Sequence, residues 1–277
     1  MQILDLSQIM ISGIFGSHRE VDCNIDDMRE MMTSMIRNLN FQFRLKYGTM
    51  VLAADGKGPY WRHEKFPYYK GNRKKTRDDS NIDWKNIHAV MDQYKSELKD
   101  YFPYKLIEVE GVEADDIIAT LTKFSDEEVI ILSADKDFIQ LHNQKVKQYD
   151  PIRDKFIEHE NPQEYLEMHI INGDRGDGIP NVLSEDDTFM VEGKRQKAMT
   201  ANRIQEIKES WITGNYVDHF DKYMRNVNLI DLSKIPIEVE EKILDMYGSL
   251  KPPNKMVLRK YLIKTNMFKS LNRLGEF

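Results

Sequence analysis

The chain of 277 residues has few of the features that mark exported, membrane-spanning or thiolate-metal proteins. A single cysteine, Cys23, excludes an internal disulfide and a cysteine-based metal site. The longest apolar stretches, such as 129–132, are far shorter than the roughly 20 residues of a membrane span, and no signal-peptide pattern precedes them. The net charge of −6 argues against a protein coated evenly in base. We therefore expect a soluble, unexported, globular protein whose metals are held by oxygen or histidine.

Short apolar strands alternate with amphipathic helices over the first 160 residues, which favours an α/β fold with a mostly parallel sheet. From Pro162 onward the pattern is helical, with no convincing strand. A polar segment without clear periodicity separates the second strand from the next helix. The predicted strands are 2–7, 50–55, 105–109 and 128–134. The predicted helices are 26–47, 83–101, 113–124, 163–171, 195–213, 216–229, 238–247 and 255–264.

Acidic residues lie in or just after each predicted strand, at the carboxyl ends that meet on one edge of a parallel sheet. Any one of them is explained as a helix cap. Together they place like charges close to one another, which costs on the order of a kcal/mol each at ~4 Å unless a cation neutralises them. The candidate ligands are Asp5, Asp55, Glu113, Asp115, Asp116, Asp135 and Asp137, with Asp174 and Asp177 in the turn G-D-R-G-D-G.

The composition of this acid set predicts the kind of metal. All proposed ligands are carboxylates, which suit Mg²⁺, with Mn²⁺ as a substitute, rather than Zn²⁺. Because Mg²⁺ usually takes only one or two protein carboxylates, the number of acids predicts two ions. Two such ions about 4 Å apart activate water and stabilise the leaving oxygen in phosphodiester hydrolysis.

A basic, aromatic segment at residues 57–77 contains eight Lys/Arg and one acid, so it carries +7 while the rest of the chain carries −13. Aromatic residues are interleaved with its cations, as in surfaces that stack bases and track phosphates. We expect little apolar surface for it to bury, and hence a mobile segment that becomes ordered on DNA. The predicted nucleic-acid contacts are Lys57, Tyr60, Trp61, Lys65, Arg73, Lys74, Lys75 and Arg77.

Ordered motifs resemble those of the 5′-nuclease superfamily, which includes flap endonucleases and 5′-3′ exonucleases. These are D-L-S, A-A-D-G with Y-W-R and Y-Y-K, G-V-E-A-D-D, S-A-D-K-D and G-D-R-G-D-G-I-P, spanning about residues 3–183. Within the superfamily the chain is most similar to the branch called RNase H in T-even phages, through G-P-Y-W-R, the stretch 191–195 and the terminal G-E-F.

The resemblance implies a PIN-like catalytic domain at 1–170, an arch over the active site at 56–82, and a helical region at 171–277 with a helix-turn-helix DNA-binding element. It implies Mg²⁺-dependent hydrolysis from 5′ ends. The acids named above match the family's metal ligands, with Asp116 adjacent to them. Tyr69 and Lys70 match arch residues that meet the scissile phosphate, and Arg62 matches a basic arch residue.

The turn that opens the helical region departs from the family pattern. Where relatives have a second glycine-rich turn that grips duplex phosphates, this chain has N-V-L-S-E-D-D at 181–187. We expect other cations to supply those contacts, namely Lys194, Arg195, Lys197 and Arg203. The histidines show no ligand spacing, and we assign none of them a role.

The expected substrates are DNA with a 5′ flap, nick or 5′ end, and RNA/DNA hybrids from which primers are removed. Replication proteins such as a single-stranded-DNA-binding protein or a sliding clamp are expected partners of a monomeric enzyme in the cytoplasm, that of an infected bacterium if the chain is phage-encoded. Two alternatives stay open. One is a PIN-type ribonuclease with a similar acidic core, and the other is a non-catalytic nucleic-acid-binding protein whose acids cap helices.

Overall fold

The computed structural model describes residues 1–17, 24–73, 77, 80–212 and 219–277. Cys23, Lys74 and Lys75 lie outside the described residues. The described chain forms two compact units. The sheet unit comprises described residues of Met1–Lys57, Ile82–Glu158 and Ile237–Phe277, and the helical unit comprises those of Gly58–Asn81 and His159–Pro236.

A six-stranded sheet, in the order β3-β2-β1-β4-β5-β6, forms the centre of the sheet unit. All neighbouring strands are parallel except β5 and β6, which are antiparallel. The predicted mostly parallel α/β fold is therefore confirmed. The strands are β1 Gln2–Asp5, β2 Met50–Ala53, β3 Lys105–Ile107, β4 Val129–Leu132, β5 Val146–Asp150 and β6 Lys155–Ile157.

The helices of the sheet unit bury their apolar faces in one hydrophobic core with the sheet. The helix over 25–47 shows how the local sequence sets the ends. Its first N–H groups, those of Asp26 and Asp27, donate to the side chain of Asn24, and Gly48 ends it in a left-handed conformation at φ 71°. The helices are α1 Leu6–Ser17, α2 Ile25–Tyr47, α4 Trp84–Tyr101, α5 Ala114–Lys123, α9 Ile237–Ser249, α10 Lys255–Lys264 and α11 Phe268–Leu271.

Several elements of the sheet unit differ from the sequence predictions, and helices α1 and α11 were not predicted. The first predicted strand ends at Asp5, because Leu6 begins a helix whose Leu6, Ile9 and Met10 side chains are fully buried. Strands β5 and β6 were not predicted. β5 mixes polar residues into its run and β6 is only three residues long, so pairing with β4 and with each other defines them rather than local pattern.

The C-terminal helices pack in the sheet unit, so the compact units do not follow a single cut in the chain at 170/171. A buried polar cluster holds them there. The hydroxyl of Tyr261 in α10 donates to Glu97 Oε2 at 2.8 Å, and Arg29 Nε in α2 donates to the same oxygen at 2.9 Å. As an assignment of functional domains, 1–170 and 171–277 stays a prediction.

Glu97→Gln is expected to destabilise the protein in a pH-dependent way. Burial opposes ionisation of Glu97, but hydrogen bonds from Arg29 and Tyr261 outweigh it, so the pKa of this carboxyl lies below its usual value. A lowered pKa means that Glu97 stabilises the fold above its unfolded pKa, and that this contribution is lost as the pH falls toward the folded pKa. We expect a loss of about 3 kcal/mol at pH 7, shrinking toward pH 3 in urea unfolding. A pH-independent difference would contradict this assignment.

The helical unit is built around two small apolar clusters. One cluster joins Phe66 and Tyr69 to Leu166, Ile170 and residues of the helix over 220–230. The other groups apolar residues of 171–207, which confirms that the region after Pro162 is helical. Helix 201–212 begins six residues later than predicted. The helices are α3 Trp61–Lys65, α6 Pro162–Asn172, α7 Ala201–Ile212 and α8 Phe220–Ile230.

The described residues include no helix that is both long enough and apolar enough to cross a membrane.

Candidate metal centre and nucleic-acid interface

Three carboxylates lie at the carboxyl ends of adjacent parallel strands. Asp5 ends β1, Asp55 follows β2, and Asp135 follows β4. Strand β1 lies between β2 and β4, and the chain winds in opposite directions on its two sides. This edge is therefore the topological switch point, where open α/β sheets bind their ligands.

Asp5 is the most buried of these three acids, at 3% exposure. Its Oδ1 accepts from the backbone N–H of Gln8, and its Oδ2 from the hydroxyl of Ser133, each at 3.0 Å. The pKa of Asp5 is raised to about 7, first by burial and then by the charges of Asp55 and Asp135, against those two hydrogen bonds. The ionised form is thus disfavoured by on the order of 4 kcal/mol relative to water. A divalent cation at this edge would offset that cost.

Asp55 connects β2 to the start of α5. Its Oδ1 accepts from the backbone N–H of Ala114 at 2.8 Å, while its own N–H donates to the hydroxyl of Ser7 at 3.1 Å. The next residue, Gly56, donates its N–H to the carbonyl of Val112 at 2.9 Å. The chain after β2 therefore lies directly against the chain after β3.

Gly56→Ala is expected to lower the free energy of unfolding by about 3 kcal/mol. A Cβ at this position would lie 1.7 Å from the carbonyl oxygen of Val109, which is backbone and cannot rotate away. Gly16→Ala is the matched control, because no atom lies within 4 Å of a Cβ there and the residue is in helix α1. Urea unfolding of both variants measures the effect, and equal stabilities would contradict the close approach at Gly56.

The three acids at the start of α5 differ in burial and in their roles in capping the helix. Glu113 is the N-cap, and it forms a capping box with Asp116, whose Oδ2 accepts the N–H of Glu113 at 3.2 Å. Asp116 is fully buried and Glu113 is 1% exposed, whereas Asp115 is half-buried. Asp116 thus orients the turn that carries Glu113 and Asp115, and its own role as a metal ligand stays a prediction.

The loop after β4 is organised by Ser133, which is fully buried. Its hydroxyl donates to Asp5 and accepts the N–H of Asp135 at 3.1 Å, while Asp135 Oδ1 accepts the N–H of Asp137 at 2.9 Å. Gln148 of β5 donates to the carbonyl of Ser133 at 2.9 Å. Neither Ser133 nor Gln148 was identified from sequence, where the available signal was a polar side chain directly after or within a predominantly buried strand.

Asp177 of the helical unit is held by the basic segment. The hydroxyl of Tyr69 donates to its Oδ2 at 2.8 Å, Lys70 Nζ lies 3.7 Å from the same oxygen, and Arg73 pairs with Oδ1. Lys70 has a φ of 55°, a left-handed conformation that is costly for a lysine and that its backbone bond to the Asp177 carbonyl, at 2.7 Å, helps to hold. Two of the predicted arch residues, Tyr69 and Lys70, therefore contact Asp177, which is one of the predicted metal ligands.

Asp174 organises the glycine-rich turn. Its Oδ1 accepts the N–H groups of Gly176 at 2.7 Å and Asp177 at 3.2 Å. Burial opposes ionisation, but His169, whose Nε2 lies 3.6 Å from Asp174, and these N–H groups outweigh it, so the pKa of Asp174 is lowered. His169 was assigned no role from sequence, because the histidines of the chain show no ligand spacing.

The basic segment buries more apolar side-chain surface than expected from the sequence. Phe66 and Tyr69 are 2% and 3% exposed in the helical unit, which contradicts the expectation of little apolar surface to bury within residues 58–73. Arg62 is also buried, and its Nε donates to the carbonyl of Leu229 at 3.0 Å. This position gives Arg62 a structural contact, and its predicted catalytic role stays untested.

The predicted nucleic-acid contacts have varied surroundings. Tyr60 stacks on His63, Trp61 lies beneath the guanidinium of Arg62 at 4.4 Å, and Lys57 of the sheet unit lies 3.6 Å from Asp92. Among the other predicted cations, those exposed in the structure are Lys65, Arg73, Arg77, Lys194, Arg195, Lys197 and Arg203.

Comparisons with known proteins match these features. A family model described as 5′-3′ exonuclease, N-terminal resolvase-like domain, matches residues 22–169, and one described as T4 RNase H, C terminal, matches residues 162–277. Ribonuclease H of Enterobacteria phage T4 is 31% identical over 296 aligned positions, covering 99% of this chain and 95% of that protein. A thermostable DNA polymerase I of Thermus thermophilus is 27% identical over 82% of this chain, which spans 27% of that longer protein.

Two solved structures support the fold. A T5 5′-exonuclease with bound zinc aligns with a TM-score of 0.64 at 19% identity, covering 90% of this chain and 98% of that one. A bacteriophage T5 flap endonuclease in a complex with DNA and metal ions aligns with a TM-score of 0.61 at 18% identity, covering 89% and 97%. From the family-model matches and the relative of nearly equal length, the chain belongs to the 5′-3′ exonuclease family, with a C-terminal region of the T4 RNase H type.

Proposed function

We propose that this protein is a Mg²⁺-dependent, structure-specific 5′ nuclease that hydrolyses DNA at 5′ flaps, nicks and 5′ ends, and removes RNA from RNA/DNA hybrids. The observation that carries the proposal is the buried carboxylate of Asp5, which shares the switch-point edge of the sheet with Asp55 and Asp135. Placing ionised carboxylates this close together costs free energy, because burial and like charge both oppose ionisation. Helix capping alone would not offset that cost.

The donor set fits Mg²⁺, with Mn²⁺ as a substitute. Every proposed ligand supplies carboxylate oxygen, and the raised pKa of Asp5, caused by burial and by neighbouring negative charge, supports a cation at this edge. We propose two ions, because one Mg²⁺ rarely takes more than two protein carboxylates. The proposed ligands are Asp5, Asp55, Glu113, Asp115, Asp135, Asp137, Asp174 and Asp177, with Asp116 as a further candidate.

Different residues of the chain have different proposed roles in hydrolysis. When bound, the ions supply an activated water and stabilise the leaving oxygen. Ser133 and Gln8 orient the Asp5 carboxylate, and the N–H of Ala114 orients Asp55, so these ligands need little rearrangement. Lys70 is proposed to stabilise the charge that develops on the scissile phosphate, with Tyr69 beside it.

The basic segment and the cations of the helical unit are proposed to bind the nucleic acid. Exposed lysines and arginines neutralise phosphates, and Tyr60 and Trp61 offer aromatic faces for stacking. A helix-turn-helix grip on duplex DNA is proposed for the helical region. Replication proteins, including a single-stranded-DNA-binding protein or a sliding clamp, are proposed partners. The proposed location is the cytoplasm, that of an infected bacterium if the chain is phage-encoded, and the similarity of nearly the whole chain to a phage ribonuclease H supports this.

Cleavage of end-labelled substrates tests the function. Flap, nicked and RNA/DNA duplexes are incubated with and without Mg²⁺, beside an unstructured RNA. We expect Mg²⁺-dependent cuts near the flap junction and no cutting of the free RNA. Cleavage of the unstructured RNA alone would indicate a PIN-type ribonuclease, whereas DNA binding without cleavage would indicate a non-catalytic binding protein.

A further inference from the structure

A short acidic loop, Glu185, Asp186 and Asp187, follows the glycine-rich turn at 173–178. Each of its three carboxylates pairs with a different cation of the same unit. Glu185 lies 2.7 Å from Lys222 Nζ, Asp186 pairs with Arg225, and Asp187 pairs with Lys194. The loop thus neutralises three cations in the unit that we propose binds DNA.

These cations surround a cavity of about 670 Å³ within the helical unit. Lys65 is a fourth cation at its lining, Asp221 is the one acid among the described lining residues outside the loop, and Phe66, Pro67 and Tyr68 form an apolar wall. The combination of cations with an aromatic wall suits a phosphodiester and its attached sugar or base.

Arg225 has several contacts besides the one to the acidic loop. Its Nη2 donates to the carbonyl of Pro180 at 2.6 Å, its Nε donates to Asn226 at 2.9 Å, and its guanidinium lies 5.5 Å from the centre of the Phe66 ring. The side chain is 8% exposed, so the bond to Asp186 is one contact among several. Removing the carboxylate would leave a preorganised guanidinium that faces the cavity.

The acids, in contrast, are held by little else. The side chains of Glu185 and Asp186 are 59% and 55% exposed. They lie between buried anchors, since Ser184 and Thr188 are 2% and 1% exposed and Ser184 donates to Asn181 at 2.8 Å. The three carboxylates can therefore leave their cations while the ends of the loop stay in place.

We propose that Lys194, Lys222 and Arg225 form a phosphate-binding site for the nucleic-acid backbone, and that the acidic loop holds this site as an internal phosphate substitute until DNA displaces it. The inference rests on the proposed function, and it adds a phosphate-binding site at which the acidic loop of the same chain competes with DNA. DNA affinity in the natural protein is then lower than its cations alone would produce.

The triple variant Glu185→Gln, Asp186→Asn, Asp187→Asn tests the proposal. A fluorescently labelled 5′-flap DNA is titrated in EDTA at several salt concentrations, so that no hydrolysis occurs. The control is Glu160→Gln, Glu206→Gln, Glu241→Gln, which changes the net charge equally at exposed positions outside the cavity lining. We expect the loop variant to bind on the order of tenfold more tightly at low salt, with a salt slope steeper by up to about 0.9 per released cation.

Adding Lys222→Gln to the loop variant should remove part of that gain, whereas adding it to the natural protein should change binding little. Thermal melting checks that each variant is folded. Equal affinities and slopes for the loop variant and its charge control would overturn the phosphate site while leaving the proposed nuclease function intact. Failure of the natural protein and every variant to bind the flap DNA would overturn both.

Discussion

Asp135→Asn and Asp115→Asn are each expected to abolish hydrolysis while leaving the fold intact. Either substitution removes a carboxylate from the proposed metal centre, and the loss of one ligand charge weakens binding of the ion that activates the water. At the same time it relieves repulsion, since the charge of Asp135 helps to raise the pKa of Asp5. We expect at least a 10³-fold fall in kcat, on the scale of lost transition-state charge stabilisation, with an unchanged or slightly increased Tm.

The control for these variants is Asp245→Asn, which removes the same charge from an exposed position in α9. Calorimetric titration with Mn²⁺ separates loss of metal from loss of chemistry, and a flap-binding assay in EDTA reports DNA affinity. Near-normal turnover at saturating Mg²⁺ in either variant would remove that residue from the metal centre. A large fall in Tm would instead assign it a structural role.

Lys70→Ala is expected to lower the rate of bond cleavage by about 10²-fold to 10³-fold and to change DNA affinity much less. Its Nζ lies 3.7 Å from Asp177 Oδ2 and 5.5 Å from the centre of the Tyr60 ring, so the ammonium already has an anionic and an aromatic neighbour. A single cation contributes one phosphate contact to binding, but its effect on a developing charge in a dry site is far larger.

Lys70→Arg should recover part of the rate, because it restores the positive charge at a similar reach. Single-turnover cleavage of the flap substrate measures the chemical step, and fluorescence anisotropy in EDTA measures binding. If the alanine variant lost affinity and rate in the same proportion, Lys70 would be a binding residue rather than a catalytic one.

The local strength of the apolar pattern explains how much of the fold was predictable. The strands over 50–53, 105–107 and 129–132 are nearly continuous apolar runs, so they can be predicted from sequence. The helix over 25–47 can be predicted as well, because the residues that begin and end it, Asn24 and Gly48, are typical helix-capping residues. Strands β5 and β6 gain their structure from neighbours, because their residues are mixed or few. Helix α1 was not predicted, and its first two residues were assigned to the preceding strand, since a short run of apolar residues has no period that separates helix from strand.

The candidate site, like the fold, has features that the sequence predicts and features that only the tertiary structure shows. Asp5, Asp55 and Asp135 were placed at one sheet edge from sequence, because parallel strands bring their carboxyl ends together whatever the packing around them. Only the tertiary structure showed that Asp116 belongs to a capping box, that Tyr69, Lys70 and Arg73 contact Asp177, and that Arg62 is buried. It also showed that the acidic loop pairs with Lys194 and with Lys222 and Arg225 of α8. Apart from the capping box and the pair Asp187–Lys194, those contacts join residues far apart in the chain. Packing and charge in three dimensions set their partners, and spacing along the sequence does not.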